Sequence, residues 1–531
     1  MYKETNSTII LASLSSFFFL MNCIEDPGHV ESHIQPNIIF ILADDMGYGD
    51  VEILNSNSKI ATPSINKLAE EGITFTNAHA PASVCTPTRY SFLTGRYPWR
   101  SKMKSGVSWI WEAPLIERDR FTIGEMLQRE GYYTACIGKW HLGWNWPTTD
   151  GIPAVVDNGK NVDYSLPIKN GPTTLGFNYY FGDDVPSFPP HAFIKNDRVV
   201  TMPTAWLEPG KAGAPGAMTP GWTYENLMPT ISTKAIKFIE ERTLNSPDQP
   251  FFLFFSLSAP HTPIAPNESF LGSSEAGRYG DFVGEMDHYI GKLLRTVDSL
   301  GISENTLIIF TSDNGPTNMD GENYTGEVGS ILEYGHNSSG ILRGLKSDSW
   351  EAGHRVPFIA KWPGRIPKNT KSNSLISLSD MMSTFAEITE YQLPDSVAED
   401  SYSILPLLSG KEERVRKDLI VQSGNGILSL IDGDWKLIMS SGGGGMWSKK
   451  GELPKFDPNS NRWINVQLYD LDSDLEETTN LCDQYPEQVE SMVTLLTEYI
   501  LNGRSTEGDP LSNDGKKRWE SVRWIQELED S

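Results

Sequence analysis

Two acidic motifs and one cysteine mark where this chain could do chemistry. Asp44-Asp45 ends the apolar run Asn37 to Ala43, and Asp313-Asn314 follows the apolar run Thr306 to Phe310. Short continuous apolar runs fit strands buried on both faces. In open α/β sheets, ligands gather beyond the carboxyl ends of the strands. Three carboxylates and one amide oxygen meeting there are hard ligands, suited to Ca²⁺ or Mg²⁺ rather than zinc. Either motif alone is more often a turn former. Two of them, each ending an apolar strand, favour the ion.

Cys85 stands in Ala82-Ser83-Val84-Cys85-Thr86-Pro87-Thr88-Arg89. It has no Cys-x-x-Cys partner and no second ligand at zinc spacing. If a helix starts at Cys85, Arg89 lies on the same face one turn later. The helix dipole and the guanidinium would then favour negative charge beside that sulfur position. Lys139 and His141, in Gly138-Lys139-Trp140-His141-Leu142-Gly143, would face one side of an extended segment. The bland reading of that pair is a surface lysine and a hydrogen-bonded histidine. His261 sits between Pro260 and Pro263, and Lys346 follows Arg343-Gly344-Leu345. A lone lysine in such a place is usually solvated.

These residues need a frame. Helices are expected over Pro63–Glu71, Phe121–Glu130, Ile231–Thr243 and Phe282–Leu300, and strands over Tyr132–Ile137 and Phe251–Leu257. The alternation predicts an α/β fold with a large mixed, mostly parallel sheet flanked by helices. Trp144 to about Trp222 is rich in Pro, Gly, Trp and Asp without periodicity, and reads as long loops over the sheet. From about 420 the pattern changes to a hairpin around Asp432-Gly433, a flexible Ser441–Gly445 loop and a closing helix, Glu487 to Ile500. The expected organisation is a catalytic domain over 35–419 and a smaller α+β subdomain over 420–531.

The formal charge of −25 excludes a general binder of nucleic acid or anionic membranes. An anionic substrate would need a local cluster of cations. Residues 1–22 read as a signal peptide, and Leu20-Met21-Asn22-Cys23 is similar to a lipoprotein cleavage site with Cys23 lipidated. The chain is therefore expected outside the cytoplasm, in the periplasm or lipid-anchored at the outer membrane or cell surface. Cys136 and Cys482 could pair, but free buried thiols are the stronger expectation.

The ordered motifs resemble those of the type I, formylglycine-dependent sulfatases of the alkaline phosphatase superfamily. Cys85-x-Pro87-x-Arg89-x-x-x-Leu93-Thr94-Gly95-Arg96 is similar to the first signature and Gly131-Tyr132-x-Thr134-x-x-x-Gly138-Lys139-Trp140-His141-Leu142-Gly143 to the second. The likeness continues through both Asp motifs, Pro260-His261, Arg343-Gly344-x-Lys346, Asp434-Trp435-Lys436-Leu437, Leu468-Tyr469-Asp470-Leu471 and Gly503-Arg504-Ser505-Thr506. Thr88 stands where the family more often has Ser, and Ala352 where Gly is more usual.

The resemblance implies that a maturation enzyme oxidises Cys85 to Cα-formylglycine (3-oxoalanine). It implies that Asp44, Asp45, Asp313, Asn314 and modified Cys85 hold one Ca²⁺, with Mg²⁺ the second choice. Arg89 would stabilise the hydrated aldehyde, and Lys139 and Lys346 would bind sulfate. Lys346 or His261 would assist the departing alcohol. His141 would take the proton whose loss expels sulfate. The expected substrate is a sulfated poly- or oligosaccharide, algal material included, because Trp and Tyr faces stack on sugar rings. The alternatives are a phosphate or phosphonate monoester hydrolase of the same superfamily and an inactive glycan-binding relative. His191, Trp222, His336, Asn337 and His354 are candidates for specificity without a defining pattern.

Overall fold

The apolar runs pair into one ten-stranded sheet in the computed structural model, which describes residues 1, 35–320 and 330–525. The segment read as a signal peptide, with Cys23, lies outside the described residues. Five neighbouring central strands are all parallel: Thr306–Ser312, Asn37–Asp44, Phe251–Pro260, Tyr133–Gly138 and Tyr179–Gly182. Phe358–Lys361 and Ile73–Phe75 extend one side antiparallel, with Thr370–Ser372 at that edge. The short hairpin Ile194–Lys195 and Arg198–Val199 closes the other.

Both faces of the sheet are covered, which is why its central strands are largely apolar rather than alternating. Ile38, Phe40 and Leu42 point into one core with Phe92, Leu93, Met126 and Phe385. Ile39, Ile41 and Ala43 point into the other with Ile65, Ile231, Met286 and Ile290. The helices Cys85–Thr94, Ile123–Arg129 and Met381–Ile388 supply the first face; Pro63–Glu70, Leu227–Asn245 and Gly277–Ser299 supply the second. Phe40 stacks on Phe92 with ring centroids 4.2 Å apart, which fixes the Cys85–Thr94 helix to the central strand. Removing either ring would cost about 3–5 kcal/mol.

The segment read as loops over Trp144–Trp222 contains a true sheet strand, Tyr179–Gly182. Its aromatic sequence, Tyr-Tyr-Phe-Gly, hides the apolar run that parallel pairing to Tyr133–Gly138 buries. A smaller four-stranded antiparallel sheet follows, ordered Asp418–Gln422, Leu428–Asp432, Trp435–Ile438 and Gln467–Asp470. The helix Pro486–Asn502 packs on it through Val489, Met492, Val493 and Leu496. Trp99 and Tyr97 enter the same core, so the described residues from 35 to 525 form one compact unit.

Three expectations need correction. Ser441–Gly445 is not flexible: a Cβ on Gly443 would meet the Trp350 ring at 2.5 Å, and one on Gly445 would meet Asp348 Oδ1 at 1.9 Å. The glycines are there because the loop packs against its neighbours. Cys136 is a free buried thiol as expected, whereas free Cys482 is only half-buried. The Lys139–His141 segment is not extended, since His141 takes a left-handed backbone with φ 57.

Candidate active site

The parallel strands end on one edge, and each end delivers a polar side chain. Asp44 closes its strand, and Asp45 turns the chain with φ 67, a conformation that Asp tolerates better than most residues. The following turn packs so closely that a Cβ on Gly47 would lie 2.0 Å from Ser338 O. Buried Asp50 anchors it, accepting from Gly47 N at 2.8 Å and Tyr279 OH at 2.7 Å, with His336 Nε2 2.8 Å from its other oxygen.

Lys139 Nζ donates to Asp44 Oδ2 at 2.6 Å, and Lys346 Nζ donates to Asp45 Oδ2 at 2.7 Å. Asn314 Nδ2 donates to Asp45 Oδ1 at 2.8 Å. Cys85 Sγ lies 4.0 Å from the same Asp45 oxygen, and His261 Nε2 lies 3.8 Å from the other. Arg89 Nη2 and Nε donate to Asp313 Oδ2 at 2.7 and 3.1 Å, and Nη1 donates to Lys139 O and Ser256 Oγ. The structure thus gathers Asp44, Asp45, Cys85, Arg89, Lys139, His261, Asp313, Asn314 and Lys346 into one buried cluster.

Burial works against the charge on Asp44, yet Lys139, His261, Arg89 and Lys346 together hold its carboxyl well below the usual range. Burial and the neighbouring Asp44 push Asp313 up to about 6, against the pull of Arg89 and Lys139. Burial also pushes the Cys85 thiol up to about 12, despite the two lysines. Burial opposes the charge on Lys346, but Asp45 holds its ammonium above the ordinary range. His261 falls to about 4 through burial and Lys139. His141 is driven well below its ordinary value by burial, Lys139 and Arg89. Both histidines are therefore neutral at pH 7.

His141 Nε2 is 3.0 Å from the Ser108 carbonyl, which only accepts, so Nε2 carries the proton. Its Nδ1 is buried without a hydrogen-bond partner among the described residues, leaving a free base. The His141 backbone N–H donates to Asp184 Oδ1 at 3.1 Å. Asp183-Asp184 was not read from the sequence, although it repeats the pattern of paired aspartates ending a strand. Burial and Asp184 push Asp183 up to about 7.

The candidate specificity residues are mostly braces. His191 Nε2 bonds Ala214 O, Trp222 packs on Phe193 and Asn337 caps its own loop at Gly340 O. His336 holds Asp50. His354 is buried with its Nδ1 2.9 Å from His79 Nδ1. Lys436 fills the middle of that second cluster, 2.9 Å from both Glu351 and Glu477, so the charge there is already met.

Fold and cluster together define an α/β enzyme of the alkaline-phosphatase-like architecture. The chain belongs to the sulfatase family, whose family model matches residues 36–391, and is a sulfuric ester hydrolase. It is 33% identical over 500 residues to an N-acetylgalactosamine-6-O-sulfatase of Bacteroides thetaiotaomicron, covering 87% of this chain and 92% of that protein. It is 30% identical over 483 residues to the steryl-sulfatase of Homo sapiens, covering 78% and 76%. A solved structure described with the metabolism of multiple glycosaminoglycans by Bacteroides thetaiotaomicron superposes with a TM-score of 0.75 at 31% identity, covering 88% of this chain and 99% of that one.

Proposed function

We propose that this enzyme removes sulfate from a sulfated poly- or oligosaccharide, using Cα-formylglycine made from Cys85 and one Ca²⁺ ion. The observation that carries the reading is the meeting of Asp44, Asp45 and Asn314 with the ammoniums of Lys139 and Lys346 beside Cys85. The residues fit a hard cation. Asp44 Oδ1 and Asn314 Oδ1 are buried oxygens without a hydrogen-bond partner among the described residues. Asp44, Asp45, Asp313 and Asn314 would hold it, with modified residue 85. An unmodified Cys85 supplies no thiolate, because burial keeps it protonated. The hydrated aldehyde supplies an oxygen nucleophile toward sulfur, and the cation lowers its pKa and offsets the sulfate charge.

The side chains then have separate tasks. Arg89, fixed between Asp313 and the Lys139 carbonyl, keeps positive charge beside residue 85. Lys139 and Lys346 exchange carboxylate partners for sulfate oxygens. Neutral His261 engages its Nδ1–H with Thr262 O at 2.5 Å, which leaves Lys346 as the donor to the departing alcohol. His141 Nδ1 takes the proton whose loss releases sulfate.

The likeness to an N-acetylgalactosamine-6-O-sulfatase supports a sulfated sugar as substrate. We also propose export to the periplasm or anchoring through Cys23, and maturation by a formylglycine-generating enzyme. Sulfate release by matured enzyme from sulfated mono- and oligosaccharides, beside aryl sulfate and aryl phosphate, tests the reading. Release from a sulfated sugar, with aryl sulfate preferred over aryl phosphate, is expected. No release from any sulfated sugar, or a preference for phosphate, would overturn it.

A further inference from the structure

Two aromatic rings lead outward from His141. The half-buried Phe188 ring meets His141 edge-on with centroids 5.9 Å apart. Trp109 stacks on Phe188, again 5.9 Å between centroids, with the planes 24° apart. Trp109 is 59% exposed, so the face away from Phe188 is open to water.

The step from Phe188 to Trp109 is anchored to the catalytic cluster. Ser108, the residue before Trp109, accepts from His141 Nε2 through its carbonyl and donates its N–H to Thr86 Oγ1 at 3.1 Å, next to Cys85. Glu112 Oε2 accepts from Trp109 N at 3.1 Å and so fixes the turn that presents the indole. Lys102, Ser105, Trp109 and Glu112 line a cleft of 470 Å³, within the usual range for ligand sites of about 300–1,000 Å³.

The exposed indole offers the cleft a flat apolar surface, and covering it with a ligand would be favourable. Its π face is negative and attracts the positively polarised C–H groups on one face of a pyranose ring. The polar side chains around the cleft suit the ring's hydroxyl edge.

Resting on the glycan reading above, we propose that Trp109 is a sugar-binding platform for the ring next to the sulfated one. Phe188, one aromatic step nearer His141, flanks the sulfated ring itself. The substrate is therefore at least a disaccharide, and the enzyme prefers it to the sulfated monosaccharide.

The test uses matured full-length enzyme and two probes carrying the same sulfate: N-acetylgalactosamine 6-sulfate and a glycosaminoglycan-derived tetrasaccharide with that residue at its end. The wild type should show a higher kcat/KM for the tetrasaccharide. In W109A the ratio of the two kcat/KM values should fall about tenfold, through KM of the longer probe. W109Y, which keeps a flat ring, should restore most of the ratio. A structural defect would lower both substrates together and leave the ratio unchanged, and that result would overturn the proposal, as would a wild type indifferent to length. Failure of the wild type on both sugars would overturn the proposal for this sulfated ring, whereas no release from any sulfated sugar, with aryl sulfate still cleaved, would overturn the glycan reading on which the platform rests.

Discussion

Lys346 Nζ lies 2.7 Å from Asp45 Oδ2, so a cation proposed for sulfate is paired with a carboxylate proposed for the metal. The two are 301 residues apart in the chain and both are buried. A divalent ion and Lys346 compete for the same oxygens. K346M should therefore lower turnover about 10²–10³-fold while calcium binds as tightly as in the wild type or more tightly. Calorimetric titration with CaCl₂ beside steady-state kinetics reads both, and weaker calcium binding would contradict the pairing of roles.

Asp44 and Asp45 are buried carboxylates whose partners in the cluster are Lys139, Arg89, Lys346 and Asn314. Calcium should raise Tm in proportion to the logarithm of its concentration above Kd, and excess chelator should reverse the gain. D45N should lose most of that calcium-dependent shift. A Tm indifferent to calcium in the wild type would count against the metal assignment.

His141 presents a free Nδ1 because Nε2 is held by the Ser108 carbonyl. H141Q removes the base without opening a large cavity. Rapid mixing with an aryl sulfate should show one equivalent of alcohol released, followed by a steady rate lower by about 10²–10⁴-fold. A slow phase from the first turnover, with no burst, would place His141 in the earlier step.

Glu285, on the helix Gly277–Ser299, should make stability depend on pH. It is buried, one oxygen accepts from Asn267 N at 2.8 Å, and the other has no partner among the described residues. Burial pushes its carboxyl from 4.5 up to about 7. A carboxyl raised on folding binds its proton more tightly in the folded state, so its contribution erodes as pH rises from about 4.5 to about 7. The whole effect is at most about 3 kcal/mol. E285Q should gain Tm relative to wild type on going from pH 5 to pH 8. An equal difference at both values would contradict the shift.

The cluster was legible in the sequence because its members follow an apolar run, a glycine turn or a helix start. Asp44-Asp45, Asp313-Asn314 and Cys85-x-x-x-Arg89 are local patterns that strand ends and a helix start turn into geometry. The Asp183-Asp184 pair was missed because its strand, Tyr179–Gly182, is aromatic and shows no run of aliphatic residues. The Ser441–Gly445 loop was misread for a related reason. Its order comes from contacts with Trp350 and Asp348, about a hundred residues earlier, which no local propensity encodes. His354 fell to the same limit: its partners, His79 and Lys436, come from distant segments.

Mass spectrometry of the peptide carrying residue 85 tests the central claim most directly. Protein made in a host with the maturation enzyme should carry an aldehyde or its hydrate at that position, and the modified fraction should scale with sulfate-releasing activity. An intact Cys85 thiol in fully active enzyme would contradict the account.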